Sequence, residues 1–166
     1  MTSRYPYSMR LLHWSMAALM MSMLCAGLLM VRSLEPWQLT LLNMHKSFGL
    51  VAALLIVVRT VNRLRLKLPT PSEPQNRYQS AVAKTVHRLL YALMFLMPLT
   101  GLLMQYAAAR PVDVFGAFRL PAAELTDIQQ FAVFRELHGL LAVVFMGIIA
   151  LHIAGACHHY LSARRR

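Results

Sequence analysis

Four apolar runs, at roughly 11–31, 42–62, 88–106 and 137–157, take up about half of the chain and decide what it can fold into. Each is close to the ~20 residues a helix needs to cross a hydrocarbon layer of about 30 Å. Composition agrees: 58% hydrophobic residues and twelve methionines exceed what a soluble domain usually carries. The first run, "RLLHWSMAALMMSMLCAGLLMV", superficially resembles a secretory signal. Its apolar stretch is longer than the usual signal core and has no small-x-small cleavage site, so it is expected to be retained. Short, alternating connections between such runs predict an all-α membrane protein of one domain, 1–166. Its architecture would be a four-transmembrane-helix up-down bundle with spans near 10–31, 42–63, 86–106 and 136–160.

Charge orients the bundle. Arg4 and Arg10 precede the first run, and the second connection with its flanks carries Arg59, Arg63, Arg65, Lys67, Arg77, Lys84 and Arg88 against Glu73. Arg164, Arg165 and Arg166 close the chain, making 12 basic residues and 1 acidic residue on this side. On the other side Arg32, Lys46, Arg110, Arg119 and Arg135 face Glu35, Asp113, Glu124, Asp127 and Glu136, so the net charge of +11 belongs wholly to one face. The positive-inside rule places both termini in the cytoplasm. Lipid headgroups, and not nucleic acid, are the natural neighbours of that basic face.

The connections differ. "RSLEPWQLT" is short, with Pro36 and Trp37 at the interface. The second connection breaks at Pro69, Pro71 and Pro74 and resumes as helix near Gln79. In the third, "PVDVFGAFRLP" reads as extended and lying on the membrane surface, while "ELTDIQQFAVFREL" has helical periodicity leading into the fourth span. Pro98 and Gly101 in "MPLTG" either let a bulky group or backbone approach the third helix or simply kink it. Cys25 and Cys157 have no disulfide, zinc or covalent-haem spacing and read as small apolar fillers, as the methionines read as packing residues.

Histidines carry the chemistry. His45 and His138 begin the second and fourth spans, near the outer face; His13 and His87 begin the first and third, near the inner face. His152 follows His138 by fourteen residues. That is a rise of ~21 Å and about 40° short of four full turns, so both rings leave one face of one helix at different depths. Two layers result, His45 with His138 outside and His13, His87 and His152 inside, with His158 and His159 deeper at the inner interface. Ionisable residues inside a membrane are functional candidates by default. Zinc would call for four ligands, and carboxylates and thiols are missing from these layers. Ion transport would call for acidic residues within the spans, and the apolar cores hold none. Haem iron needs only axial ligands, and its macrocycle accepts apolar walls. Two haems, each between two histidines at separate heights, would carry electrons from face to face. Depth alone leaves His13 and His87 open as the inner partner of His152.

"HW" at His13–Trp14, "NMHKSFG" at Asn43–Gly49, "VVRTVNRL" at Val57–Leu64, "PLTG" at Pro98–Gly101, "LHG" at Leu137–Gly139 and "LHIAGACHHY" at Leu151–Tyr160 together resemble the bacterial cytochrome b561 family. The strings run in order over essentially the whole chain. The resemblance implies a four-helix inner-membrane cytochrome with two b-type haems, related to the cytochrome b subunits of hydrogenases and formate dehydrogenases. It implies His45 and His138 as axial ligands of the outer haem iron and His13 and His152 as those of the inner. It further implies His87 and a histidine at the end of the fourth helix near a ubiquinone site, with Arg77 and Lys84 on the approach. The family's terminal histidine pair stands seven and eight residues after the fourth-helix ligand; here His158 and His159 stand at six and seven, so His159 is the match and Tyr160 takes the eighth place.

The activity expected from this resemblance is superoxide oxidation at the periplasmic face coupled to ubiquinone reduction near the cytoplasmic face. Lys46, beside His45, would attract the anion, helped by Arg32, Arg119 and Arg135. The alternative is a cytochrome b anchor that links a periplasmic dehydrogenase or hydrogenase to the quinone pool. A haem-free scaffold or transporter, its histidines incidental, is the third reading.

Overall fold

The computed structural model describes residues 6–32, 35–65 and 77–164. Four long helices form in sequence: α1 (Tyr7–Arg32), α2 (Trp37–Arg65), α3 (Arg77–Ala107) and α4 (Ile128–Arg164). With 26, 29, 31 and 37 residues, the shortest is about 39 Å long at 1.5 Å per residue, more than the hydrocarbon layer requires. All four are long and apolar enough to cross a membrane. Each runs past the apolar core expected of it, because polar turns continue the helix at both ends. The extension is largest in α4, which starts at Ile128. There the Asp127 carboxylate accepts the Gln130 N–H at 2.9 Å, a side-chain cap that begins the helix well outside the apolar run.

Helix directions follow from which residues meet. The start of α1 meets the end of α4 (His13 with His152), and the end of α1 meets the start of α2 (Gly27 with His45). The start of α3 meets the end of α4 (His87 with His152). The bundle is therefore up-down-up-down. α3 packs closely along α4, and α1–α2 and α2–α3 also pair; α1 and α2 make little direct backbone contact with α4. The proline-rich segment with Pro69, Pro71 and Pro74 lies outside the described residues. α3 is already helical at Arg77, slightly before the expected Gln79, and continues through Pro98.

Among the described residues, Met20, Leu24, Ala52, Leu93 and Phe145 form a compact apolar knot. In lipid there is no hydrophobic drive between helices, so dispersion in such a knot must hold them together. Large apolar side chains such as Leu54, Leu99, Leu140 and Val143 point outward, where hydrocarbon is their solvent.

The third connection is a two-stranded antiparallel hairpin, β1 (Val112–Val114) and β2 (Phe118–Leu120), pairing Val112 with Leu120 and Val114 with Phe118. Its turn places Phe115 at φ 51° and Gly116 at φ 72°. Glycine adopts that region freely, whereas phenylalanine does so at a cost that must be met elsewhere. The Ser47 hydroxyl, only 3% exposed, meets it by accepting the Phe115 N–H at 3.2 Å while donating to the Asp113 carbonyl at 3.1 Å. Phe48 and Phe115 add an edge-to-face contact at 5.1 Å. The hairpin is thus clipped onto α2 two residues beyond His45.

Candidate functional site

His45 on α2 and His138 on α4 face each other with ring centres 6.4 Å apart and planes at 77°; His13 on α1 and His152 on α4 repeat the same 6.4 Å and 77°. A metal held in line between two imidazole nitrogens at about 2 Å each leaves the ring centres roughly 6.3 Å apart. Both pairs bridge helices whose backbones stay apart. His87 and His152 differ, with centres at 5.3 Å across the packed α3–α4 face, closer than an ion in line between two imidazoles would leave them. Of the two rings that depth left open, His13 is the one whose distance from His152 equals that of the outer pair.

The surroundings fit a bulky group in the outer layer. Among the described residues, nothing hydrogen-bonds the buried Nδ1 of His45, a costly omission unless another group serves the ring. Glycines border both rings. A Cβ on Gly27 would meet the His45 ring at 3.9 Å, and one on Gly101 would meet that of His138 at 3.3 Å, so Gly101 is needed for close approach. Thr100 fixes the tautomer of His138. Its hydroxyl bonds the Leu96 carbonyl at 2.8 Å and lies 3.0 Å from both the Met97 carbonyl and His138 Nδ1. With its single proton given to a carbonyl, the hydroxyl accepts from Nδ1–H, leaving Nε2 with a free lone pair for a metal. Among the described residues, no group of three or more His, Cys, Asp or Glu could hold a metal ion, which leaves two-ligand sites.

One register runs through the whole bundle. The fourteen-residue step from His138 to His152 recurs as His13 to Gly27, His45 to Arg59 and His87 to Gly101. Each helix thus presents one face to both layers, ~21 Å apart. The outer layer holds Gly27, His45, Gly101 and His138; the inner holds His13, Arg59, His87 and His152. Seven residues from each end of these steps stand Met20, Ala52 and Phe145, all in the apolar knot, which lies midway between the layers.

Arg59, Tyr91, Thr100 and Gly27 received no role from the sequence; the fourteen-residue step was the signal that would have found Arg59 and Gly27. Lys46, half-buried, lies within electrostatic reach of Arg110 and Asp113. Asp113 is already occupied: Arg119 Nε donates to it at 3.1 Å and the Gly116 amide at 2.7 Å. Arg119, expected to help attract an anion, is ion-paired with Asp113 in an exposed pair, and Arg110 stands near Lys46. The Arg32 side chain lies outside the described residues, and Arg135 is exposed on α4.

At the inner surface, Arg77 and Lys84 line a cleft of about 390 Å³ with Ser80, Ala81, Thr85 and Arg88, all on α3. His87 is exposed beside this face but rests against His152. His159 is exposed in the last turns of α4, and among the described residues no hydrogen bond or ring contact joins it to His87, Arg77 or Lys84.

A bundle that crosses the membrane four times and presents paired imidazoles at two heights is the scaffold of a membrane electron-transfer cytochrome. The chain belongs to the prokaryotic cytochrome b561 family, which it matches over residues 4–165. It is 29% identical over 162 residues to "Cytochrome b561 homolog 2" of Escherichia coli (strain K12), covering 95% of this chain and 86% of the relative. It is 27% identical over 131 residues to "Probable superoxide oxidase CybB" of Yersinia pestis, covering 78% and 72%. Membrane electron transfer with b-type haem is what this family implies.

Proposed function

We propose that this chain takes electrons from superoxide at its outer face and delivers them to ubiquinone at its inner face, using two haems. The observation that carries the reading is the repeated spacing of His45 with His138 and of His13 with His152. The likeness to a probable superoxide oxidase supports the choice of substrate. Haem b held at each layer by these histidines would supply one-electron chemistry. Two superoxide anions would give up one electron each and leave as dioxygen, and one quinone would take both electrons with two protons.

The residues divide this work. His45 and His138 would hold the outer group and His13 and His152 the inner. Lys46, with Arg110 nearby, would concentrate a small anion at the outer face. The apolar knot would keep water and protons out of the space between the layers. Arg77 and Lys84 would attract or orient the quinone head on the approach, with His87 and His159 passing protons to it from the basic, cytoplasmic side.

The test uses the purified, haem-replete protein. Pyridine haemochrome analysis should give two haems per chain, and stopped-flow loss of superoxide should be catalytic and depend on added quinone. Haem reduction without quinone-linked turnover would turn the reading to an anchor for a partner dehydrogenase. A colourless protein from haem-supplied cells would remove the haem reading altogether.

A further inference from the structure

The two layers share a register but not a chemistry, and the surplus lies inside. Where α2 carries His45 in the outer layer, it carries Arg59 in the inner one. The Arg59 guanidinium lies within coulombic reach of the His13 and His87 rings. Its Nε donates to the Tyr91 hydroxyl at 3.3 Å, and its Nη1 is buried with no hydrogen-bond acceptor among the described residues. Tyr91 stands one turn beyond His87 on α3, so both face the same side. Arg63 lies over the Tyr91 ring at 5.4 Å, so the hydroxyl sits in a positive field.

Donor counting is decisive here. Arginine has five N–H donors and no acceptor, and stays charged in proteins. A buried guanidinium N–H without an acceptor carries a desolvation penalty in any protein interior, and more so at membrane depth. Tyr91, having accepted from Arg59, still has its own O–H to give. Tyr91 thus holds one edge of the guanidinium while Nη1 on the other edge is left as a donor near the inner histidines. In the outer layer the positions in register with Arg59 and Tyr91 are His45 and the buried Gln105, so no guanidinium stands there.

We propose that Arg59, held in place by Tyr91, donates through Nη1 to an oxygen acceptor borne by a redox group at the inner layer, either a haem propionate carboxylate or a quinone carbonyl. The site rests on the proposed inner haem and quinone reading and adds to it Arg59 as the donor and Tyr91 as its positioning residue. Either acceptor would satisfy Nη1 while Tyr91 holds Nε.

Arg59→Gln, Arg59→Lys and Tyr91→Phe are compared with wild type in the haem-loaded protein. Each is read by potentiometric titration of both haems and by the affinity for a short-chain ubiquinone analogue. If the acceptor is the propionate, all three variants shift the inner midpoint and leave the outer one and the quinone affinity in place. If it is the quinone, all three weaken analogue binding roughly tenfold, as loss of a charge-assisted hydrogen bond does, with both midpoints held in the charge-conserving Arg59→Lys and Tyr91→Phe. Tyr91→Phe changes no charge and Arg59→Lys keeps it, so neither result can come from a long-range field alone. Recovery of wild-type behaviour in Arg59→Lys, or an unchanged Tyr91→Phe, overturns the proposal. Haem content separates the two levels of inference: absence of inner haem from the wild type sinks the parent reading, whereas two haems with unmoved midpoints and affinity sink this site alone.

Discussion

In the outer layer, α1 and α3 present glycine to the histidines of α2 and α4; in the inner layer, the same two helices present His13 and His87, and α2 presents Arg59. The outer arrangement is lean and closely held. Thr100 orients one ring, Gly101 makes room for it, and a hairpin clipped by Ser47 covers the neighbourhood. The inner arrangement is crowded with groups that give and take protons, and it opens toward the basic side. The difference suits a reaction in which electrons enter at one level from a donor needing no proton, and leave at the other into an acceptor that needs two. In the proposed reaction, the apolar packing between them would separate the proton chemistry from the electron entry.

The sharpest way to break this comparison is to delete one layer at a time. His138→Ala should abolish the outer haem and spare the inner, and His152→Ala should do the reverse, each halving haem per chain by pyridine haemochrome. A variant that lost both haems would mean that the layers fold as one unit; one that lost neither would mean that the assigned rings hold nothing.

Charge reversal at the entry is next in size. Lys46→Glu should slow superoxide loss by roughly ten- to a hundredfold at low ionic strength, because steering of an anion reverses sign. The gap should narrow as salt shortens the screening length to below about 8 Å. An equal deficit at all salt concentrations would place Lys46 in folding rather than in attraction. Quinone affinity, an inner-layer property, should not change.

The four crossings were plain in the sequence because each is an apolar run of the right length. The outer pair was legible for a related reason: two histidines at the starts of two spans share a depth. The inner pair was less so, since His13 and His87 share a depth and differ only in which helix packs against α4. That is a tertiary fact, and apolar periodicity carries nothing about it when every helix is apolar all round. The hairpin was visible only as an extended segment. Its attachment runs through Ser47, a short polar residue whose role depends on contacts 66 and 68 positions away. Arg59 was counted toward orientation as one basic residue among twelve, and its burial hid behind that rule.

Smaller changes sharpen how the outer ring is held. Thr100→Val keeps shape but removes one of the two acceptors near the His138 ring, leaving the Met97 carbonyl, at a cost of about 1 kcal/mol. The outer midpoint should move while the inner does not, and Thr100→Ser should restore it. Gly101→Ala should act on the same haem by crowding, since its Cβ falls 3.3 Å from the His138 ring, whereas Gly27→Ala, at 3.9 Å from His45, should be tolerated. Equal effects from the two alanines would mean that helix propensity, and not closeness to the ring, governs both.

The smallest expected effect concerns the cover over the outer layer. The Arg119 guanidinium, and then the Gly116 amide, hold the Asp113 carboxyl below the usual carboxylate range. A carboxyl so depressed stabilises the folded hairpin at pH above its unfolded value of about 3.9. That contribution fades as pH falls from there through the lower folded value. Hydrogen exchange at the Phe115, Gly116 and Ala117 amides should therefore quicken below about pH 4, beyond the chemical exchange baseline, with α4 around His152 unaffected. The exposed Arg119–Asp113 pair keeps the change modest. Asp113→Asn should show the faster exchange already at neutral pH and lose the acid response. If wild type and variant exchange alike across the range, Ser47 and Phe48 alone hold the hairpin, and the outer cover owes nothing to its charge pair.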